Sequence, residues 1–510
     1  MSTGGGKMSY VLGIDLGTSS LKGILMNSKG QMVSEQSSDY PVFSPKKGYS
    51  QQNPSDWIQA CEAVLAKLMT EVGDFTDGLE GISFSGQMHS LVVLDKENQP
   101  VYPSILWNDV RTSKQCRQIT DHFGDRLLQI TKNIPLEGFT LPKILWLQEN
   151  EPKIWETVAM ILLPKDYLRF WFTGELVTEY SDAAGTLLLD IEKNTWSREI
   201  IEEFTISEQI LPDLVPSLAE VGNVRTELKQ RFGFKQEVRV FAGGADNACA
   251  ALGAGLLDDE TGLISIGTSG VFSSYESELQ NYDGKLHFFN HVLPDTYYSM
   301  GVTLAAGSSL SWFKNTFAEN RSFSELLEDI SQISPGSEGL LFSPYLAGER
   351  TPYFDSKIRG SFIGISATHS LTHFSRAVLE GITFSLKDSQ ELMRQKGKQF
   401  KRLISVGGGA KNPDWLQMQA DILDTEIISL AVEQGPCAGA CIIAAFGCGW
   451  SEDIQSLIEG FVVYKQHRYE PNKQNVEQYR RIYKIWKRMY AATKEICHLE
   501  NDRQIGKEEM

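Results

Sequence analysis

Short apolar runs alternate with amphipathic stretches along the whole of this 510-residue chain. Residues 10–12 and 238–242 are short, mainly apolar runs that predict buried strands. From Trp57 to Leu68, apolar residues recur at helical spacing, and Ser55 is the predicted N-cap of that helix. Strands that alternate with helices are typical of α/β architecture, and we expect that fold class here.

The first predicted hairpin has a turn rich in glycine, threonine and serine. Its sequence from Gly13 to Ser20 is GIDLGTSS, between apolar strands at residues 10–12 and 21–26. Such a turn exposes backbone N–H groups and hydroxyls, the donor array that binds phosphate. Asp15, at the edge of the turn, could hold a hydrated Mg²⁺ ion against those phosphates.

The same pattern returns in the second half of the chain. Residues 263–272 read LISIGTSGVF, which is again a strand, a Gly-Thr-Ser turn and a strand. The repeat suggests two related halves, each with its own phosphate-facing hairpin. Further on, Gly407–Gly409 follow a strand and precede a helix that starts near Pro413. Glycines at such a turn let a nucleotide approach the backbone and the helix N-terminus.

A carboxylate lies among glycines in the middle of the chain. Asp246 belongs to the segment GGADN, where glycine leaves room for a substrate. By itself it could be an Asx-turn residue or the N-cap of a helix beginning at Asn247, which would depress its pKa. An ionised carboxylate within hydrogen-bond range of a hydroxyl can act as a general base. A phosphate-binding turn and such a base are the minimum for phosphoryl transfer onto a hydroxyl.

Other segments have predicted structures that bear on the architecture. Residues 79–85 form a strand that ends at Gly86–His89, with residues 91–94 as its hairpin partner. Residues 111–223 are expected to be mostly helical, and residues 435–440 begin a helix of small residues suited to close packing. Residues 474–494 have helical periodicity, and residues 507–510 are expected to fray.

Composition and charge narrow the class of protein. The chain is 41% hydrophobic and 22% charged, ordinary values for two or three globular domains. No apolar run approaches the ~18 residues of a membrane helix, and a net charge of −17 disfavours nucleic acid and anionic membranes as partners. The seven dispersed cysteines are expected to be packing residues in a reducing cytoplasm rather than a zinc site. Residues 1–7 are interpreted as a flexible leader.

A series of motifs along residues 10–490 resembles the FGGY carbohydrate kinases. The motifs are DLGTSS (15–20), SGQMHS (85–90), LWNDVRT (106–112), SDAAGT (181–186), GGADNA (243–248), PYLAGERTP (344–352) and VGGGAKNPDW (406–415). The resemblance implies two ribonuclease-H-like domains of the actin, hexokinase and Hsp70 type, with ATP and sugar in the interdomain cleft. The domains would span residues 8–255 and 256–490, with residues 1–7 and 491–510 as flexible or peripheral tails.

The resemblance also implies roles for particular residues. Asp246 would be the general base, and Asp15 and Asp246 would hold Mg²⁺ through water. The residues at the sugar would be Gln87, Met88, His89, Trp107, Asp109, Asp246 and Asn247. The residues at ATP would be Asp15, Thr18, Ser19, Lys22, Gly267, Thr268, Gly307, Gly408, Gly409 and Asn412. Lys22 could equally be a solvated strand residue, and Trp107 a core residue.

The substrate that the resemblance implies is D-xylulose, phosphorylated at its 5-hydroxyl, with gluconate or another polyol as the alternative. Gluconate is an anion, yet the presumed sugar-facing residues include no arginine or lysine, and Asp109 would repel it. Among these residues, only a protonated His89 could supply the positive charge that gluconate needs. Ser90 replaces a glycine frequent in the D-xylulose-specific members and favours the gluconate branch. A homodimer is compatible with the sequence.

The alternative from another class is a nucleotide-switched binding protein of the actin or Hsp70 type. Such proteins share the two hairpins and the triple-glycine turn. A chaperone would need a further substrate-binding domain, and fewer than about a hundred residues follow the adenosine motif. An actin-like filament protein would lack the lining formed by residues 87–89 and 107–109. ATP turnover that depends on added sugar distinguishes the classes.

Overall fold

The computed structural model describes residues 8–508, and the side chains of residues 8–501, as two mixed sheets flanked by helices. The expectations for the leader at residues 1–7 and for the last two residues lie outside this range. The fold confirms the expected α/β class with two sheet-bearing halves.

The strands are β1 (Tyr10–Leu16), β2 (Ser20–Asn27), β3 (Met32–Asp39), β4 (Gln51–Gln52), β5 (Leu79–Gly86), β6 (Val92–Leu94), β7 (Ser104–Ile105), β8 (Met160–Leu162), β9 (Val177–Glu179), β10 (Leu189–Asp190), β11 (Thr195–Trp196), β12 (Asp213–Val215), β13 (Glu220–Asn223), β14 (Arg239–Phe241), β15 (Gly244–Ala245), β16 (Thr261–Ile266), β17 (Gly270–Glu276), β18 (His287–Asn290), β19 (Tyr297–Thr303), β20 (Leu341–Ser343), β21 (Ser361–Ile363), β22 (Arg402–Gly407) and β23 (Glu426–Ser429).

The α-helices are α1 (Pro54–Glu71), α2 (Phe75–Gly78), α3 (Ser113–Thr131), α4 (Thr140–Asn150), α5 (Pro152–Trp155), α6 (Pro164–Thr173), α7 (Tyr180–Ala183), α8 (Arg198–Glu203), α9 (Thr226–Phe232), α10 (Asp246–Ala254), α11 (Gly307–Phe317), α12 (Phe323–Leu326), α13 (Leu371–Gln395), α14 (Pro413–Leu423), α15 (Pro436–Gly447), α16 (Ile454–Phe461), α17 (Lys473–Trp486) and α18 (Arg488–Glu508). Single 3₁₀ turns span Ala184–Thr186, Glu208–Ile210, Ile330–Gln332, Ser337–Gly339 and Gly408–Ala410.

The two large sheets have the same core topology. The first has the order β13-β14-β5-β1-β2-β3, and the second has the order β18-β19-β17-β16-β22-β23. In each, an antiparallel hairpin (β1–β2 or β16–β17) continues into a third antiparallel strand on one side and two parallel strands on the other. This correspondence is the internal repeat that the sequence predicts.

Strand β1 is buried on both faces, which explains its nearly continuous apolar sequence. Leu12 and Ile14 pack with Trp57 and Leu65 of α1 on one side. On the other side, α15 from the second half of the chain lies so close that a Cβ on Gly13 would stand 2.4 Å from the Cys437 carbonyl oxygen. The small residues of α15 therefore allow the close packing that the sequence predicts, and the structure shows that this packing joins the two halves.

Helices α10 and α15 cross at glycines in the interface between the halves. A Cβ on Gly439 would be 2.0 Å from the carbonyl oxygen of Cys249, and a Cβ on Gly253 would be 2.8 Å from the backbone nitrogen of Gly439. Only glycine permits this approach of two backbones. Because α10 begins at Asp246, this contact fixes the carboxylate relative to the second half.

Two local predictions about the first half are wrong. Residues 91–94 do not pair with β5; β6 pairs antiparallel with β8 instead, because the chain turns away at His89, whose φ is 69°. Helix α1 starts at Pro54 with Asn53 as its N-cap, so Ser55 lies inside the helix. Proline at the first helical position needs no hydrogen-bond partner, which favours that start.

One longer segment also differs from expectation. Residues 111–223 contain six short strands, β8 to β13, as well as helices, so they are less helical than expected. Residues 491–508 belong to α18, and their assignment as a flexible or peripheral tail stays a prediction. Within that helix, the imidazole of His498 contacts the Asp355 carboxylate at 2.7 Å.

Candidate active site

Two tight turns face the cleft between the halves, one from each large sheet. In the β1–β2 turn, the Gly17 N–H donates to the Ser20 carbonyl at 3.1 Å, and in the β16–β17 turn the Gly267 N–H donates to the Ser269 carbonyl at 3.0 Å. The start of α11 closes on the second turn, where the Gly307 N–H donates to the Gly267 carbonyl at 2.8 Å. These turns and the helix N-terminus present backbone donors suited to phosphates.

A cavity of about 730 Å³ opens beside the second turn. Five of the residues predicted at ATP line it, namely Gly267, Thr268, Gly307, Gly408 and Asn412. The Asn412 side chain also caps α14 by accepting from the Trp415 N–H at 2.9 Å. Gly409 lies behind the wall, where a Cβ would meet Ile266 at 2.5 Å, so it serves backbone packing. Phe323, Leu327 and Lys411 line the cavity too and were not predicted.

A second cavity, of about 250 Å³, lies in the cleft next to α10. Five residues predicted at the sugar line it, namely Met88, His89, Trp107, Asp246 and Asn247. A third space of about 280 Å³ has Asp246 and Asn247 on one side and Gly407 and Gly435 on the other. Asp246 therefore borders both the second cavity and the space that leads towards the triple-glycine turn.

The environment of Asp246 suits proton transfer near neutral pH. Burial, and secondarily the charge of Asp15, raise the pKa of Asp246 to about 7, although hydrogen bonds from Asn247 oppose this. The Asn247 N–H and side-chain amide both donate to Oδ1 of Asp246, at 2.7 and 2.8 Å, and leave Oδ2 for a substrate. The expected depression of this pKa by a helix N-terminus is wrong, because desolvation outweighs the α10 dipole. Asp246 is also the first residue of α10, and Ala245 is the N-cap.

Asp15 lies at the end of β1 and interacts electrostatically with Asp246. Burial raises the pKa of the Asp15 carboxyl, against the lowering effects of Ser85 and Lys22. Its Oδ1 atom is buried and has no hydrogen-bond partner among the described residues. Two neighbouring carboxylates, one with an unsatisfied oxygen, fit a hydrated Mg²⁺ ion. Among the described side chains, those of residues 8–501, no group of three or more His, Cys, Asp or Glu could hold a metal by itself.

His89 presents an acceptor nitrogen to the second cavity. Its Nδ1 lies 2.7 Å from the Gly185 carbonyl oxygen, which can only accept, so Nδ1 carries the proton. Burial lowers the pKa of His89 to about 3, despite that hydrogen bond. The imidazole is therefore neutral at pH 7, and its Nε2 can accept a hydrogen bond from a hydroxyl.

Trp107 links this cavity to the first phosphate turn. Its indole Nε1 donates to the Thr18 hydroxyl at 2.9 Å, and 38% of the residue is exposed in the cleft. That exposure rules out the alternative of a core residue. An aromatic face with adjacent polar groups suits a carbohydrate.

Four predicted residues lie elsewhere. The Gln87 amide supports the first turn from beneath, donating to the Gly17 carbonyl at 3.3 Å and to Gln52 at 3.2 Å. Asp109 is fully buried and pairs with Arg111 at 2.7 Å, so it neither lines the cavity nor repels an anion there. The other two line neither cavity: Ser19 is exposed in the β1–β2 turn, and Lys22, half-buried on β2, pairs with Glu35 at 3.0 Å.

Sequence reasoning missed one cation in the sugar cavity. Arg350 lines it together with His287 and Phe139. The premise that the lining has no arginine or lysine is therefore wrong. Arg350 belongs to the motif PYLAGERTP, which was a signal for the family but carried no indication that its loop reaches across to the first half.

The fold and the cavities define a class of protein. The second of two actin-like halves carries a nucleotide-sized cavity, and a smaller cavity lies between the halves with a carboxylate of raised pKa beside it. That arrangement is expected of a kinase that acts on a small hydroxyl compound.

This chain belongs to the FGGY family of carbohydrate kinases. Residues 10–253 match the N-terminal domain of that family and residues 262–448 match its C-terminal domain. The xylulose kinase of Lactococcus lactis subsp. lactis (strain IL1403) is 63% identical over 492 residues, which are 96% of this chain and 98% of that protein.

Solved structures agree with this assignment. The xyloylose kinase from Brucella ovis superposes with a TM-score of 0.90 at 32% identity and covers 95% of this chain and 99% of that one. The gluconate kinase from Lactobacillus acidophilus has the same TM-score at 25% identity, and the match covers 95% of this chain and 98% of that one.

Proposed function

We propose that this chain transfers the γ-phosphoryl group of ATP to the 5-hydroxyl of D-xylulose, forming D-xylulose 5-phosphate and ADP. The observation that carries the proposal is Asp246, a carboxylate with a pKa of about 7 at the border of the smaller cavity. The choice of sugar rests on the 63% identity to the L. lactis xylulose kinase along nearly the full length of both chains. Charge in the cavity does not exclude gluconate, because Arg350 lines it.

In the proposed reaction, the oxygen of the sugar 5-hydroxyl bonds to the γ-phosphorus while Asp246 accepts the proton of that hydroxyl. The bond between that phosphorus and the bridging oxygen breaks, and ADP leaves with the electron pair. Asn247 holds Oδ1 of Asp246, so Oδ2 is the atom that takes the proton. A pKa near the working pH balances ionisation against basicity.

The two turns hold the phosphates in this proposal. Thr18 and Ser19 lie on the first half and Gly267 and Thr268 on the second, so they converge only across the cleft. Gly408 and Asn412 lie against the adenosine, in the wall of the larger cavity. Asp15 and Asp246 would hold Mg²⁺ through water, and the ion would neutralise charge on the phosphates.

The smaller cavity orients the sugar. Nε2 of His89 accepts from a sugar hydroxyl, and the face of Trp107 covers the carbon chain. Because the Trp107 indole also binds the Thr18 hydroxyl, the sugar contact and the phosphate turn are coupled. Gly185 fixes His89 from behind through its carbonyl oxygen.

The proposal is tested by coupled measurement of ADP release with D-xylulose, gluconate, glycerol or no sugar. We expect the highest kcat/KM with D-xylulose, and a product whose phosphate is on carbon 5 by ¹³C–³¹P coupling in NMR. A higher kcat/KM for gluconate would keep the kinase and refute the substrate. ATP turnover that does not respond to any sugar would favour the nucleotide-switched class instead.

Gluconate remains the second candidate substrate because of one observation. Arg350 supplies the cation that an anionic acceptor needs, and Asp109 does not oppose it. His89 is neutral at pH 7 and therefore gives an anionic acceptor no positive charge.

A further inference from the structure

Arg350 has no role in the reaction as proposed above, yet it lies in the wall of the sugar cavity. Among the described residues, no hydrogen bond or ion pair reaches its guanidinium group. The adjacent carboxylate of Glu349 is occupied otherwise. It accepts from the Thr303 hydroxyl at 2.5 Å, the Ser385 hydroxyl at 2.9 Å and the backbone N–H of Leu304 and Arg350 at 3.0 and 2.8 Å.

An unpaired guanidinium in a cleft is costly. Burial lowers the pKa of Arg350, while the charges of Glu137 and Glu349 raise it only in part. Glu137 itself accepts a hydrogen bond from the Ser113 hydroxyl at 2.8 Å and forms no ion pair with Arg350. Because a guanidinium has five N–H donors and no acceptor, the group that satisfies it must accept hydrogen bonds. Because Arg350 lines the cavity assigned to the sugar, we expect the accepting atom to belong to the bound sugar.

Arg350 and Asp246 both line the cavity, and the loop that carries Arg350 is held at β19. The Thr351 N–H donates to the Val302 carbonyl at 3.0 Å, and the Thr351 hydroxyl accepts from the Val302 N–H at 3.0 Å. On the same strand, Met300 pairs with His287, which also lines the cavity. If carbon 5 of an open-chain pentose lies at Asp246, carbons 1 and 2 extend along the cavity and can reach Arg350.

We propose that Arg350 recognises the carbonyl end of the acceptor, donating hydrogen bonds to the carbon-2 oxygen of an open-chain ketose. The proposal deepens the proposed function and rests on it. A ketone oxygen only accepts, so it matches a group that only donates. In a pentitol, the same carbon carries a tetrahedral hydroxyl, whose proton needs an acceptor that Arg350 does not provide. Arg350 would thus distinguish ketoses from the corresponding polyols.

The test compares one ketose with its reduction products. D-xylulose is the substrate, and xylitol and D-arabitol, which share carbons 3 to 5 with it, are measured as competitive inhibitors. The variant Arg350→Met removes the donors, Arg350→Lys retains a charge, and Arg359→Met, an exposed arginine of the same region, is the matched control.

We expect Arg350→Met to lower kcat/KM for D-xylulose roughly 10–100-fold, mainly through KM, because a buried bond to a carbonyl is lost. The inhibition constants of the two pentitols should change less than about threefold, and Arg350→Lys should recover part of the loss. Arg359→Met should match the wild type. The affinity for ADP and the thermal midpoint confirm that each variant is folded, and Arg350→Lys carries the comparison if Arg350→Met does not fold.

Three results would overturn the proposal. Equal losses for D-xylulose and both pentitols would assign Arg350 a general structural effect, and unchanged kinetics with D-xylulose would remove it from recognition. Loss of gluconate turnover with retained D-xylulose turnover would assign it to an acid substrate. Failure of the proposed function is seen separately, because the wild-type enzyme would then not phosphorylate D-xylulose at all.

Discussion

Replacement of Asp246 by asparagine should abolish activity and stabilise the fold at the same time. The change keeps the size of the side chain and removes the proton acceptor. Loss of a general base costs on the order of 10²-fold or more in kcat, so we expect at least that decrease. Nucleotide binding should persist, since the larger cavity lies beside the other turn.

The gain in stability follows from the raised pKa of Asp246. A carboxyl whose pKa is 3.8 in the unfolded chain and about 7 in the native protein resists ionisation on folding. At about 1.4 kcal/mol for each pKa unit, the native state carries an upper limit of about 4 kcal/mol of destabilisation above pH 7. Water in the cavity reduces this, and we expect a gain of about 1–3 kcal/mol for Asp246→Asn.

The size of the stability gain depends on pH. Below pH 4 the carboxyl is neutral in both states, and the variant should gain nothing. Between pH 4 and 7 the unfolded chain ionises while the native protein does not, so the advantage of asparagine grows, and it is complete above about pH 7.5.

Urea unfolding of both proteins, without nucleotide or Mg²⁺, at pH 5.5 and pH 8 measures this difference, alongside ADP release with D-xylulose. A variant within a few fold of wild-type turnover would remove Asp246 from the mechanism. A variant that is less stable than the wild type at pH 8 would refute the argument that desolvation sets its pKa.

Three further predictions concern the same site. The kcat/KM for the sugar should rise about tenfold per pH unit below a pKa of about 7 and then level off, because only ionised Asp246 is a base. Initial rates from pH 5.5 to 8.5 would show this rise, and a profile that stays flat down to pH 5.5 would contradict it. Gly185→Ala should raise KM for the sugar about tenfold or more and leave KM for ATP unchanged, because the new Cβ would lie 2.7 Å from Nδ1 of His89. The control is Gly124→Ala in α3, where a Cβ would have no contact under 3.6 Å, and equal effects of the two substitutions on KM for the sugar would refute the reasoning. ATP hydrolysis without sugar should be slow, because Thr18 and Thr268 belong to different halves and align only in a closed cleft; equal rates with and without sugar would argue against closure.

The amino-acid sequence by itself determined the local parts of the site. The two Gly-Thr-Ser turns, the triple-glycine turn and the small-residue helix α15 were all predicted, because each depends on residues adjacent in the chain. Turns need particular φ values and small side chains, and a short sequence segment is enough to show whether the residues meet those requirements. The repeated hairpin also revealed the two related halves, since similar sequences form similar sheets.

Only the tertiary structure decided what these parts face. The partner of β6 is β8, far along the chain, and the loop of Arg350 reaches the cavity formed by His89 and Trp107. The same is true of charge. Asp109 pairs with Arg111 only two residues along the chain, but its complete burial comes from the surrounding fold. Burial also raised the pKa of Asp246, where the helix N-terminus alone would lower it. Desolvation is a sum over neighbours that lie distant in sequence, so no local pattern encodes it.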